Sequence, residues 1–324
     1  KENPVDAVIS KIYPSFDVTE QSFILEADFI KKDNKYELKE SLLKPAIPET
    51  LQDTLMARLD QLGAEKEVVQ LAAVVGREFS YEMIHAMTSL DENLLTKELN
   101  NLAEADILEI KDEGIHKKYV FRQVLIQDAA YNSILKSMRL ELHKKIAAVL
   151  EKQFKDFVES HPQVLAYHYT RANIFNRAIE YHLKSGKLLV QQSAHRDSIS
   201  QLQKGINLLR HIDDLKKRNH LELELQITLG IPLLATKGYG AEEVGNVYER
   251  ARELSQIVGD SPKLFPALVG QYRFYLLRGD LTKAFDISEL LLSWAQTSHN
   301  SDLILEASRS VGVTLFHMGE ISTG

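Results

Sequence analysis

Between residue 143 and the last residue, no stretch alternates apolar and polar side chains with the period of two that a half-buried strand needs. Apolar residues recur instead at steps of three and four through eight segments: 163–172, 177–194, 196–210, 219–235, 241–258, 263–278, 281–298 and 302–318. The breaks between them are short, so consecutive helices must run antiparallel. Such a half can only be an array of helical hairpins. The 15 glycines and 8 prolines in 324 residues are few, as expected of long helices, whose interiors both residues weaken.

A turn recurs within the array. Gly279-Asp280-Leu281-Thr282-Lys283-Ala284 has the turn chemistry of a tetratricopeptide repeat, and Gly319-Glu320-Ile321 repeats it 40 residues later. Gly312 stands 40 residues after Tyr272, where a repeat needs a small residue for close helix contact. Asn173-Ile174-Phe175-Asn176-Arg177-Ala178 is a degenerate earlier copy. Counted from Ala284, the inner face of the solenoid includes Arg273 and Leu276, then Arg309, Phe316 and His317, with Tyr167 and Arg171 in the first copy. A mixed basic and aromatic groove suits an acidic or extended peptide, or another domain of the same protein. The alternative is that these positions are simply solvated. The chain stops just past the last turn, and an unfinished repeat leaves an apolar face open, so a continuation is expected.

The first half reads differently. Residues 48–62 form a helix opened by Pro48, with Leu51, Leu55, Leu59 and Leu62 as its stripe. Helices follow over 64–75 and 80–88, the latter N-capped by Ser80. Ser89-Leu90-Asp91-Glu92 has capping-box spacing and opens a helix over 91–105. The period then changes to two in 107–110 and 115–121, which flank a Gly-containing turn at 111–114. Helices followed by a β-hairpin make a winged-helix pattern. Upstream, short helices are expected over 5–12 and 22–30, a charged turn at 31–35 and a short strand at 36–38. Residues 121–143 read as one amphipathic helix, with Phe121, Val124, Leu125, Tyr131, Ile134, Leu135, Met138 and Leu142 as a stripe wide enough to be gripped by both halves.

Several chemistries are excluded or disfavoured. Without cysteine there is no disulfide, thiolate nucleophile or Cys-ligated zinc. No phosphate loop exists; Ser185-Gly186-Lys187-Leu188 lies in a helical pattern and lacks the following hydroxyl. None of the 11 histidines stands three or four residues from another, so no metal site is expected. A net charge of −7 disfavours binding to phosphate backbones, and the helix before the hairpin carries Asp91, Glu92, Glu98 and Glu104 against Lys97. No apolar run reaches the roughly 18–20 residues of a membrane helix, and residues 1–10 lack the apolar region of a signal peptide. A cytoplasmic location is expected.

Three runs resemble one known family. They are Ile47-Pro48-Glu49-Thr50-Leu51-Gln52, Arg58-Leu59-Asp60-Gln61-Leu62, and Ala72-Ala73-Val74-Val75-Gly76-Arg77-Glu78-Phe79. They are similar to the region after the nucleotide-binding core in STAND-type signalling ATPases, especially those fused to bacterial class III adenylate/guanylate cyclases. Residues 121–131, Arg139 and His143 fit that family's next signature, and Leu229-Gly230, Gly238-Tyr239 and Tyr248-Glu249-Arg250-Ala251 fit its repeat domain. The resemblance implies a mainly α chain. Residues 1–47 would be a remnant of the ATPase lid and linker, 48–152 a winged-helix-like domain with a small β-hairpin, and 153–324 a tetratricopeptide-like α-helical solenoid. It implies a non-catalytic regulatory and protein-interaction module with no cofactor of its own, ATP or ADP and Mg belonging to an upstream core. Gln123 stands where relatives carry a phosphate-sensing His, and cannot become cationic. A DNA-binding regulator of related architecture and a free-standing repeat scaffold are the alternatives.

Overall fold

The structure is a computed structural model that describes residues 29–32, 35–38, 57, 59, 62–63, 65–113, 116–238, 240–259 and 261–320. Contacts divide the chain into two compact units, Lys1–Ala57 and Arg58–Gly324. In the first unit, β1 (Phe29–Lys32) pairs antiparallel with β2 (Lys35–Leu38), in register from Phe29 opposite Leu38 to Lys32 opposite Lys35. The strand expected at 36–38 is therefore present. Phe29 and Ile30, expected to end a helix, are in a strand instead, paired with Leu38 and Glu37. The expected helix over 5–12 and most of that over 48–62 lie outside the described residues.

The second unit begins with a small mixed block. It comprises α1 (Glu65–Val75), β3 (Glu78–Ser80), α2 (Tyr81–Met87), α3 (Glu92–Glu104), β4 (Leu108–Glu113) and β5 (His116–Phe121). The three strands form one antiparallel sheet with β5 in the middle. Three residues of β3 were too few to show a period, so that strand was not legible in the sequence. Val68, Val69, Ala72, Ile84, Met87, Leu95, Leu99 and Leu102 of the helices and Phe79, Tyr119 and Phe121 of the strands are all buried and make the core. The Phe79 and Tyr119 rings stack at 5.8 Å. Ser80 caps α2 as expected, accepting from the Met83 N–H at 3.3 Å. The cap of α3 is Asp91 rather than Ser89: its carboxylate accepts from the Leu94 N–H at 3.0 Å, and a charged acceptor at a helix N-terminus outcompetes a hydroxyl two residues earlier.

Residues 121–143 do not form one helix. Phe121 ends β5, α4 covers Val124–Asn132, and α5 runs from Lys136 to Gln153. The break has a local cause. Asn132 and Ser133 are poor helix residues whose side chains compete with the backbone. The Ser133 hydroxyl donates to the Ala130 carbonyl at 2.7 Å and accepts from Gln70 of α1 at 2.8 Å. Arg139 reaches back to donate to the carbonyls of Ile134 (2.8 Å) and Asn132 (2.9 Å), closing the end of α4. Behind the break the apolar register turns, leaving Leu135 72% and Met138 54% exposed, while Ile146, Ala147 and Leu150 go inside. The element that touches both halves is α5: it lies on α1 and α2 on one side and on α6 (Lys155–Ser160) and α7 (Pro162–Arg171) on the other.

From α7 onward, every element among the described residues is helical. They are α8 (Phe175–Gln191), α9 (His195–Leu208) with a 3-10 turn at Leu209–His211, α10 (Leu215–Lys237), α11 (Glu242–Val258), α12 (Ser261–Arg278), α13 (Leu281–Ser298) and α14 (Ser301–Met318). Each packs on its sequence neighbour, the repeat-like arrangement expected. Most of these helices end in the left-handed region. Gly238, Gly259, Gly279 and Gly319 take φ of +84°, +71°, +78° and +88°, and Asn173, Ser193 and His299 take φ of +57°, +60° and +53°. These C-terminal caps turn the chain sharply enough for short connections.

Candidate functional site

The residues singled out for a partner groove fall in two places. Arg273 and Leu276 of α12 and Arg309 of α14 line one open cleft of about 560 Å³, together with Tyr272, Leu277, Ser310 and Val313. Asn300 starts α14 by accepting from the Asp302 and Leu303 N–H groups at 3.0 and 3.3 Å. Tyr272 fixes the floor: its hydroxyl donates to the Ser310 carbonyl at 3.0 Å, joining the two helices. Phe316 and His317 lie further along α14, exposed, with ring centres 5.7 Å apart, and do not line this cleft.

Charge in the cleft is organised around Glu306. Arg309 donates to both of its oxygens, at 2.8 and 3.2 Å, and Arg273 approaches at 3.5 Å. The hydrogen bond and charge of Arg309, followed by the charge of Arg273, hold the Glu306 carboxyl below its usual range, against the opposing effect of burial. Two guanidinium groups share one carboxylate, so the rim carries a net positive charge beside an apolar floor of Leu276, Leu277 and Val313. The sequence reading did not pick out Leu277, Val313 or Glu306. Each stands three or four residues from a residue it did name, so the helical period could have found them.

Tyr167 and Arg171 sit elsewhere, on α7, where the Arg171 guanidinium lies 5.4 Å from the centre of the Tyr167 ring. They border a cluster that sequence spacing could not reveal, because its members stand far apart in the chain. Nδ1 of His143 on α5 lies 2.9 Å from Nδ1 of His168 on α7. On its other side, Nε2 of His143 is 3.1 Å from the Tyr131 hydroxyl of α4. Both histidines are fully buried. Burial pushes His168 down to about 3, helped by the charge on His143. Burial, then the charges of Arg171 and Arg139, push His143 down to about 4. Gln123 precedes α4 with its side chain exposed and making no cap hydrogen bond.

Beside this cluster, Glu151 of α5 accepts from the Tyr169 hydroxyl (2.7 Å), the Tyr181 hydroxyl (2.5 Å) and Arg177. Among the described residues, no group of three or more His, Cys, Asp or Glu could hold a metal ion. None of the described helices is long and apolar enough to cross a membrane.

No family model matches the chain. It is 24% identical over 279 residues to an uncharacterized protein of Rhizobium meliloti; the match covers 85% of this chain and 27% of that protein. The chain thus spans about a quarter of the length of the curated relative it matches. Among solved structures it is similar to a Signal Transduction ATPase with Numerous Domains that carries a tetratricopeptide repeat sensor, from Pyrococcus horikoshii. That match has a TM-score of 0.36 and 12% identity, over 86% of this chain and 49% of the other. BtubC from P. vanneervenii is similar at a TM-score of 0.24 and 11% identity, over 81% of this chain and 93% of the other.

Proposed function

We propose that this segment is a non-catalytic regulatory and protein-interaction module of a multidomain signalling ATPase associated with an adenylate or guanylate cyclase. In this reading the block of α1, β3, α2, α3, β4 and β5 is a winged helix. Its order of elements and its sheet, with β5 between the other two strands, support that assignment. The antiparallel helices from α7 onward are tetratricopeptide-like pairs that receive a protein, a peptide or another domain of the same chain.

The observation that carries the reading is the cleft between α12 and α14. An apolar floor beneath Arg273 and Arg309, with a single carboxylate between them, suits an extended segment that has an acidic group next to an apolar anchor. Asp91, Glu92 and Glu104 are exposed on or beside α3, the helix that precedes the hairpin.

The test is binding of a labelled extended peptide with alternating Asp and Leu residues, followed by fluorescence anisotropy. Changing Arg273 and Arg309 together to Glu should weaken binding by tenfold or more, on the order of 1.4 kcal/mol, and raised salt should weaken the wild type. Unchanged affinity in the double variant, or tighter binding of a DNA duplex than of the peptide, would overturn the reading.

A further inference from the structure

The histidine pair sits where α5, the element shared by both halves of the second unit, meets α7, the first helix of the array. In the neutral pair one Nδ1 carries a proton and the other accepts it across 2.9 Å. A first added proton leaves that bond in place but puts a cation in a buried site. A second puts an N–H on each of the facing atoms, so the bond is lost and two like charges stand against each other. We propose that His143 and His168 form a proton-operated latch, closed when both are neutral, whose protonation frees α7 and the helices after it from the mixed block. This does not depend on what the array binds.

The surroundings favour release. From α4, Tyr131 contacts His143 directly, and Asp128 acts on the adjacent Tyr167. From α5, Arg139 bears on His143, and from α7, Arg171 does the same, with the Tyr167 ring edge-on at 5.5 Å. The two charged side chains that bear on His143, Arg171 and Arg139, are thus both cationic, and among the described residues the pair's hydrogen-bonded network holds no carboxylate to stabilise an imidazolium. Nε2 of His168 is buried without a hydrogen-bond partner, so the pair is incompletely satisfied even when closed. The next helix adds His182 of α8, 3.4 Å from the Thr170 hydroxyl and 2.8 Å from Gln201, and it too is held down by burial. An opened junction would let the imidazoles return toward their ordinary value of 6.5. Acidification through and below that value therefore favours the open form.

Amide hydrogen exchange on the full chain, corrected for the intrinsic rate, tests this. Between about pH 7 and about pH 5, protection across α5 and α7 should fall by roughly tenfold or more while α12 to α14 keep theirs. His168→Leu should reduce the response to the part that His143 supplies alone. Arg171→Gln supplies a second reading that does not remove either histidine. It removes an exposed cation that disfavours the protonated closed pair, so opening should need more acid and its midpoint should move to lower pH. Loss of protection in all helices together, no loss above about pH 4.5, or an unmoved midpoint in Arg171→Gln would overturn the latch.

Discussion

The ring of Tyr248 fills the space that a side chain at Gly270 would need. A Cβ there would fall 2.2 Å from the Tyr248 Cε1 atom, and one at Gly230 would fall 2.3 Å from its Cζ. Tyr248 belongs to α11, Gly230 to α10 and Gly270 to α12, so one aromatic side chain sets the approach of three consecutive helices. It is 5% exposed. Gly270→Ala should cost about 1–3 kcal/mol through overpacking, despite the roughly 1 kcal/mol that Ala gains over Gly in a helix interior. Chemical denaturation would measure this. Pairing Gly270→Ala with Tyr248→Leu should recover part of the loss; a strictly additive double variant would show that the ring is not the obstacle.

Tyr119 makes a contrasting prediction. Its side chain is fully buried, and its hydroxyl has no hydrogen-bond partner. Burial, with smaller effects from Tyr81 and Glu82, raises its pKa. Removing an unsatisfied buried hydroxyl while keeping the ring should help. Tyr119→Phe is expected to stabilise the protein by about 1 kcal/mol, seen as a higher thermal midpoint. A lower midpoint would mean that the hydroxyl is satisfied in solution.

What the sequence made legible follows the length and regularity of each element. The helices over 281–298 and 302–318 could be placed to within a residue, because they combine a clean period with Asp280 and Asn300 at their starts and with Gly319 after the second. The hairpin Leu108–Phe121 was visible through its period of two. The break at Ser133 was not, because apolar residues on both sides keep a helical spacing and the interruption depends on Gln70 and Arg139 reaching it through space. The cleft was half visible: Arg273, Leu276 and Arg309 came from repeat counting, whereas Phe316 and His317 were placed on the right helix but off the cleft. The histidine pair had no sequence signal at all, since 25 residues and a turn separate its members.

Glu98 shows how burial can reverse the reading of a charge. It looked like part of an acidic face, yet it is 4% exposed and lies against Glu65. Desolvation, then repulsion from Glu65, raises its pKa. A carboxyl whose folded value exceeds its unfolded value favours folding when protonated, so this group adds stability as pH falls toward the unfolded value of 4.5 and withdraws it as pH rises. Glu98→Gln should therefore stabilise the protein at neutral pH, with the advantage shrinking in acid. Equal stabilities of the two proteins across that range would refute the assignment.

Glu151 predicts the opposite dependence. Burial alone would raise its pKa, but the Tyr169 and Tyr181 hydroxyls and the Arg177 guanidinium outweigh that and hold it below the usual carboxylate range. Its contribution is complete above the unfolded value of 4.5 and is lost as pH falls through the lower folded one. The same contacts tie α5 to α7 and α8, and Arg177 also bridges to Glu180 at 2.9 Å. Glu151→Ala leaves two tyrosine hydroxyls without their acceptor and Arg177 with Glu180 alone, and should cost about 2 kcal/mol at neutral pH. Glu151→Gln should cost less, because its amide oxygen still accepts. The loss should be smaller in strong acid, where the wild-type carboxyl is itself protonated. Denaturant midpoints of the three proteins at neutral and acid pH would check this, and a penalty for Glu151→Ala that stays constant with pH would mean that packing of the side chain, rather than its charge, holds α5 to the array.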